Sequence, residues 1–270
     1  MSFKKSILFW VDGVLNNTYN EKELYDSLEL KTLDTIVSEG CVGQLLYSNN
    51  ENQEKYTENE LKELLGFNIN ETLTESLFKE KYMNLKIKFI SNVEKELNIF
   101  ENSVILKELN QEFFEKEIKE CSEDMIIVHY QCKSNQLKER REHLVNLDSF
   151  LSNSILSPSI PNDYYLLNII IGYNETTINV PLTEQQQSNI TPQWFSQPPK
   201  SFNFLNSNII NPRMTSPLFT IEYNPTMTRK DYSCSFKESE FIKGSNGKIL
   251  LIQHFREVAF KLGKVPKYGA

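Results

Sequence analysis

Few side chains in this sequence stand where they could do chemistry. Asp12 follows the apolar run Ile7-Leu8-Phe9-Trp10-Val11 and precedes Gly13. A carboxylate there either accepts backbone N–H bonds from the turn or lines the cleft beyond the strand, where open α/β sheets bind ligands. Thr57-Glu58-Asn59-Glu60 has the T-x-x-E spacing of a capping box, in which hydroxyl and carboxylate satisfy each other's backbone donors at a helix start. Only three histidines are present: His129 in an apolar run, His143 among charged residues and His254 on an apolar helical stripe. Each reads as structural. Cys41, Cys121, Cys132 and Cys234 are far apart and form no C-x-x-C pair, so they read as reduced thiols, mostly in the core. The sequence has no G-x-S-x-G, no G-x-x-x-x-G-K-[ST], no G-x-G-x-x-G after a strand and no H-E-x-x-H.

The elements that must position these residues alternate in type. Ile7–Val11, Met125–Val128 and Tyr164–Leu167 with Ile169–Ile171 are nearly continuous apolar runs, as in strands buried on both faces. Helical stretches lie between them, over Glu21–Ser38, Thr57–Leu65, Asn92–Leu97, Asn110–Cys121 and Ser134–Leu156. In the last, Leu144, Leu147, Leu151 and Ile155 line one face, while Lys138-Glu139-Arg140-Arg141-Glu142 reads as a solvated charge run. Pro217–Tyr223 reads as a further strand. It precedes a final helix in which Leu251, His254, Phe255, Val258 and Leu262 share a face. This pattern predicts an α/β fold of three layers, a mainly parallel central sheet with helices on both faces. Residues 184–216, rich in Gln, Asn, Ser and Pro, form a long loop that carries Trp194, Phe195, Phe202 and Phe204.

Acidic side chains number 36 against 29 basic ones, a net charge of −7 that argues against nucleic acid as a partner. Asp12 cuts the first apolar run short of a signal-peptide core, and no later stretch approaches membrane-spanning length. The expectation is a cytoplasmic protein, with the nucleus also open to it, and no membrane partner.

Six segments, in order, resemble the archaeal-type cofactor-independent phosphoglycerate mutases, a branch of the alkaline phosphatase superfamily. They are Phe9–Gly13, Leu33–Leu45 with its E-G-x-x-G-Q-L ending, Leu64–Phe67, Met125–His129, Pro217–Asp231, and a tail of Lys243–Ile249, a helix and Pro266–Ala270. The resemblance implies a single alkaline phosphatase-like domain over 1–270. It also implies that 68–86 is the remnant of a substrate-covering cap domain mostly missing here.

Such enzymes hold two divalent metals with Asp and His side chains and pass a phosphoryl group through a hydroxyl nucleophile. Carried over residue by residue, Asp12 matches the first metal-binding aspartate and Thr57 the nucleophile. The other ligand positions fall on Ser134, Lys138, Tyr173 and Asn174, with Asn211 the nearest match to the last histidine. Amide, phenol, hydroxyl and ammonium groups are poor substitutes for carboxylate and imidazole. The resemblance thus leads to the expectation of a pseudoenzyme without cofactor, acting as a protein-binding scaffold through Trp194, Phe195, Phe202 and Phe204. Two alternatives stand beside it. One is a residual phosphatase or phosphomutase using Thr57, Asp12 and a divalent metal such as Mn or Zn. The other is a small-molecule-binding module lined by Asp12, Ser134, Tyr173 and Asn174.

Overall fold

A computed structural model describes residues 3, 5–15, 28–46, 56–68, 70–83, 85–134, 136–156, 165–173, 218–241, 244 and 246–266. Among the described residues eight strands build one sheet: β1 (Lys5–Leu15), β2 (Cys41–Leu46), β3 (Ile87–Ser91), β4 (Ser103–Ile105), β5 (Met125–Gln131), β6 (Tyr165–Tyr173), β7 (Leu218–Tyr223) and β8 (Gly247–Leu250). Their order is β4-β3-β5-β1-β6-β7-β2-β8. Only β7 runs antiparallel to its neighbours, β6 and β2; every other pairing is parallel. The expected α/β architecture is therefore the observed one.

The helices are α1 (Lys31–Glu39), α2 (Tyr56–Leu64), α3 (Glu75–Lys81), α4 (Gln111–Glu120), α5 (Leu137–Phe150), the single turn α6 (Glu238–Phe241) and α7 (Leu251–Lys261). Because side chains alternate along a strand, β1 feeds two cores at once. Ile7, Phe9 and Val11 join a layer with Leu33, Ile36 and Val37 of α1, Phe114 and Ile118 of α4, and Leu144 and Leu147 of α5. Leu8 and Trp10 join the opposite layer, with Leu61 and Leu64 of α2, Phe78 of α3, and Phe255 and Val258 of α7. Helices thus cover both faces.

Several expectations are corrected by packing. The helix expected from Glu21 starts at Lys31, with Leu30 already buried in a non-helical conformation; residues 21–27 lie outside the described residues. The one expected over Asn92–Leu97 is a 3₁₀ turn, Glu94–Asn98. The charge run on α5 is not wholly solvated, because Arg140 is buried. It stands one turn ahead of Leu144, Leu147 and Leu151 on the same helical stripe, so its register carries it into the core side. The stretch 68–86 holds α3, capped by Thr74 Oγ1 accepting from Leu77 N, with Phe78 packed against Phe67, Tyr82, Phe100 and Phe255.

His254, on the buried face of α7, has its imidazole pushed down to about 3 by burial, with Lys261 adding to the effect. The unfolded chain therefore takes up a proton below about pH 6.5 that the folded chain refuses until about pH 3. Stability is fully present above the unfolded value and falls as pH is lowered through that window. At pH 5 the loss relative to pH 7 amounts to about 2 kcal/mol from this residue. Urea denaturation at the two pH values should show this loss, and His254→Gln should flatten it; equal slopes in both proteins would remove His254 as its source.

Candidate functional site

The carboxyl ends of β5, β1 and β6 lie side by side, where a doubly covered sheet places its ligands. Asp12 is not the last residue of its strand. β1 continues to Leu15, and its register with β6 shifts between Val11 and Leu15, so Asp12 sits at an irregularity inside the strand. Gly13 follows with φ +77°, and Cys132 N donates to Asp12 O at 2.8 Å. Asp12 is buried, and its carboxylate rests over β6. A Cβ built on Gly172 would lie 2.6 Å from Asp12 Oδ1 and 3.1 Å from Leu218 Cδ2. The Cys132 thiol beside it is raised above its ordinary value, first by burial, with Asp12 and Glu139 adding to the rise and Arg140 opposing it.

Of the other positions implied by the resemblance, only Ser134 and Lys138 have described side chains. Ser134 is half-buried and its Oγ accepts from Gln136 N at 3.0 Å, a local turn leading into α5. The Lys138 side chain is 87% exposed and lies 3.9 Å from Glu142 Oε1. Thr57 falls in the first turn of α2, on the same side of the sheet as Trp10; its side chain lies outside the described residues, as does that of Tyr173 at the end of β6. Asn174, Asn211, Trp194, Phe195, Phe202, Phe204 and the whole of 184–216 also lie outside them. The described members of this donor set, Asp12, Ser134 and Lys138, fit a two-metal centre poorly. Asp12 offers a carboxylate already seated on Gly172, Ser134 is engaged by the backbone, and Lys138 is a cation in water. Among the described residues no three His, Cys, Asp or Glu side chains come together as a metal site.

A second polar group lies one row below Asp12 on the same face. Ser91 at the end of β3, His129 in β5 and Trp10 in β1 are in register across the sheet. Glu96, from the 3₁₀ turn after β3, reaches back to them. Glu96 Oε2 accepts from Ser91 Oγ at 2.8 Å and meets His129 Nδ1 at 2.6 Å, while Trp10 stacks on the imidazole at 3.8 Å and 10°. All four side chains are buried. Serine, histidine and acid here do not make a nucleophilic triad. That chemistry needs the serine hydrogen-bonded to the imidazole and the acid on its other nitrogen, whereas here serine and histidine share one carboxylate oxygen out of reach of solvent. Nearby, Asn92 clamps the end of β5, its side-chain amide exchanging two hydrogen bonds with the Gln131 backbone. The sequence placed His129 in a core strand but gave no sign of Glu96, which is distant in the chain and lies in an unremarkable charged turn.

No family model matches the chain, and no curated protein matches it in sequence. Solved structures do resemble it. The PH0037 protein from Pyrococcus horikoshii superposes with a TM-score of 0.67 at 11% identity, over 100% of both chains. A magnesium-bound mutant of TAB5 alkaline phosphatase gives 0.52 at 7% identity, over 98% of this chain and 99% of its own. A cofactor-independent phosphoglycerate mutase from Thermoplasma acidophilum overlaps 72% of this chain and 40% of its own, with a TM-score of 0.41 and 12% identity. The fold is thus an alkaline phosphatase-like α/β core. No helix among the described residues is long and apolar enough to cross a membrane.

Proposed function

We propose that this chain is a phosphoglycerate mutase-like pseudoenzyme of the alkaline phosphatase-like fold. It has given up two-metal chemistry and serves as a protein-binding scaffold in the cytoplasm. The observation that carries this reading is the setting of Asp12. Its carboxylate packs onto Gly172 with no room for a Cβ, and the positions after β5 hold a turn-forming serine and a solvent-exposed lysine. A cation there would have one protein carboxylate where a two-metal clamp needs several donors. The segment 68–86 is then what remains of the cap domain, rebuilt as a packed piece of core. The aromatic-bearing loop 184–216 is the surface offered to a protein partner, since binding residues concentrate on long loops of a rigid scaffold.

One observation favours the second reading, a residual phosphatase. Thr57 stands in the first turn of α2, and helix N-termini favour phosphate. The two readings separate on purified protein incubated with manganese or zinc. The scaffold predicts well under one metal ion per chain by plasma spectrometry, and aryl phosphate hydrolysis no faster than that of Thr57→Ala. Stoichiometric metal with Thr57-dependent turnover establishes the phosphatase instead. Partners captured by the intact protein should be lost when 190–210 is removed; an unchanged set would exclude the loop.

A further inference from the structure

The connection from β7 to α6 carries Tyr232, at 88% exposure the most exposed large apolar side chain among the described residues. A single exposed apolar side chain means little by itself. What sets Tyr232 apart is the chain on either side of it. Ahead of it, Cys41 Sγ donates to Arg229 O at 3.5 Å, Asp231 N donates to Gly40 O at 3.3 Å, and Val42 N donates to Asp231 Oδ2 at 2.6 Å. Behind it, Ser233 Oγ donates to Glu240 O at 2.8 Å, Cys234 N to Glu240 Oε2 at 3.0 Å, and Phe236 N to Asp34 Oδ1 at 2.7 Å. Ser233 and Phe236 are buried, and Phe236 packs on Phe241 at 5.5 Å. An exposed connection is ordinarily loose, yet this one is tied to α1, β2 and α6 within a few residues of its aromatic ring.

The same bonds sort the charges of the loop. Asp231, Glu240 and Asp34 each direct a carboxylate oxygen onto a backbone N–H of the fold, whereas Arg229 and Lys230 are exposed. On a chain of net charge −7, the face around Tyr232 therefore presents cations to water. A tyrosine on a fixed backbone gives a partner a large contact area with little loss of conformational freedom, and tyrosine and arginine are enriched among the residues that dominate interfaces. Charge complementarity selects the partner. A nucleic acid would bring its phosphates against the acidic remainder of the molecule, but a short acidic segment needs only this patch. The geometry points to Tyr232, Arg229 and Lys230 as a preformed docking surface for an acidic protein segment that carries an aromatic side chain beside its carboxylates. This surface is separate in sequence from 184–216, and it does not depend on whether phosphatase chemistry has been kept.

Fluorescence anisotropy on the intact chain tests this, with a labelled random copolymer of glutamate and tyrosine as the probe and labelled oligothymidylate as its nucleic-acid counterpart. The copolymer should bind, more tightly than the oligonucleotide and more weakly as salt is raised. Tyr232→Ala should weaken its binding about tenfold. Lys230→Glu should weaken it to a similar extent and reduce the salt dependence. Both side chains are exposed, so both variants should unfold at the parent's urea midpoint. No binding of the copolymer, unchanged affinity in either variant, or tighter binding of oligothymidylate would overturn the proposal. Because 184–216 is intact throughout, none of these outcomes bears on that loop.

Discussion

Gly13→Ala is expected to cost the protein about 3 kcal/mol of stability, the sum of a conformational penalty of about 1–2 kcal/mol and a steric one of about 1–3 kcal/mol. The first is conformational. Gly13 has φ +77°, where an L side chain crowds its own carbonyl. The second is steric. A Cβ there would stand 2.5 Å from Cys132 O, a backbone atom that cannot swing aside. The strands cannot part to make room either, since Cys132 N is bonded to Asp12 O at 2.8 Å. Gly247 provides the control, with φ +60° but nothing within 4 Å of its Cβ position. Gly247→Ala should therefore lose only the conformational part, about 1–2 kcal/mol. Equal losses in the two variants, by urea denaturation at pH 7, would show that the approach of β1 to Cys132 is looser than described.

Glu96→Ala should have a comparable or larger effect, about 3–5 kcal/mol, because it leaves two buried donors without an acceptor at about 1–3 kcal/mol each. Ser91 Oγ and His129 Nδ1 both depend on Glu96 Oε2, and neither can turn to solvent. Glu96→Gln keeps an amide oxygen of nearly the same shape and should lose less than half as much. If alanine and glutamine behave alike, the carboxylate is not what holds the cluster. Hydrogen exchange at the ends of β3 and β5 would give the same ranking residue by residue.

How much of this could be read in the sequence depends on the type of strand. β1, β5, β6 and β7 are apolar runs buried on both faces, and their burial left a continuous signal. The stretch Cys41–Leu46 contains Gly43 and Gln44 and follows Gly40, so it shows no continuous apolar run, yet it is β2, held between β7 and β8. The short β4 and β8 sit at the sheet edges, where few residues and partial exposure leave little pattern. Arg140 was misread for the opposite reason: its charge outweighed its helical register. The candidate site followed the same logic. Asp12 was visible because it ends an apolar run, whereas Glu96 enters through tertiary contact alone, and the stacking of Trp10 on His129 requires knowing that β1 and β5 are neighbours.

The position of β1 has a consequence for how the chain comes together. Of the described strands this one is made first but lies in the middle of the sheet, and Ile7 waits for Ile126 on one side and Leu167 on the other. During synthesis a strongly apolar segment thus leaves the ribosome long before either neighbour exists. Closing such distant pairs is slow, and the exposed segment invites aggregation until they close. Early exposure of an apolar segment, with the aggregation risk it carries, is therefore written into the strand order.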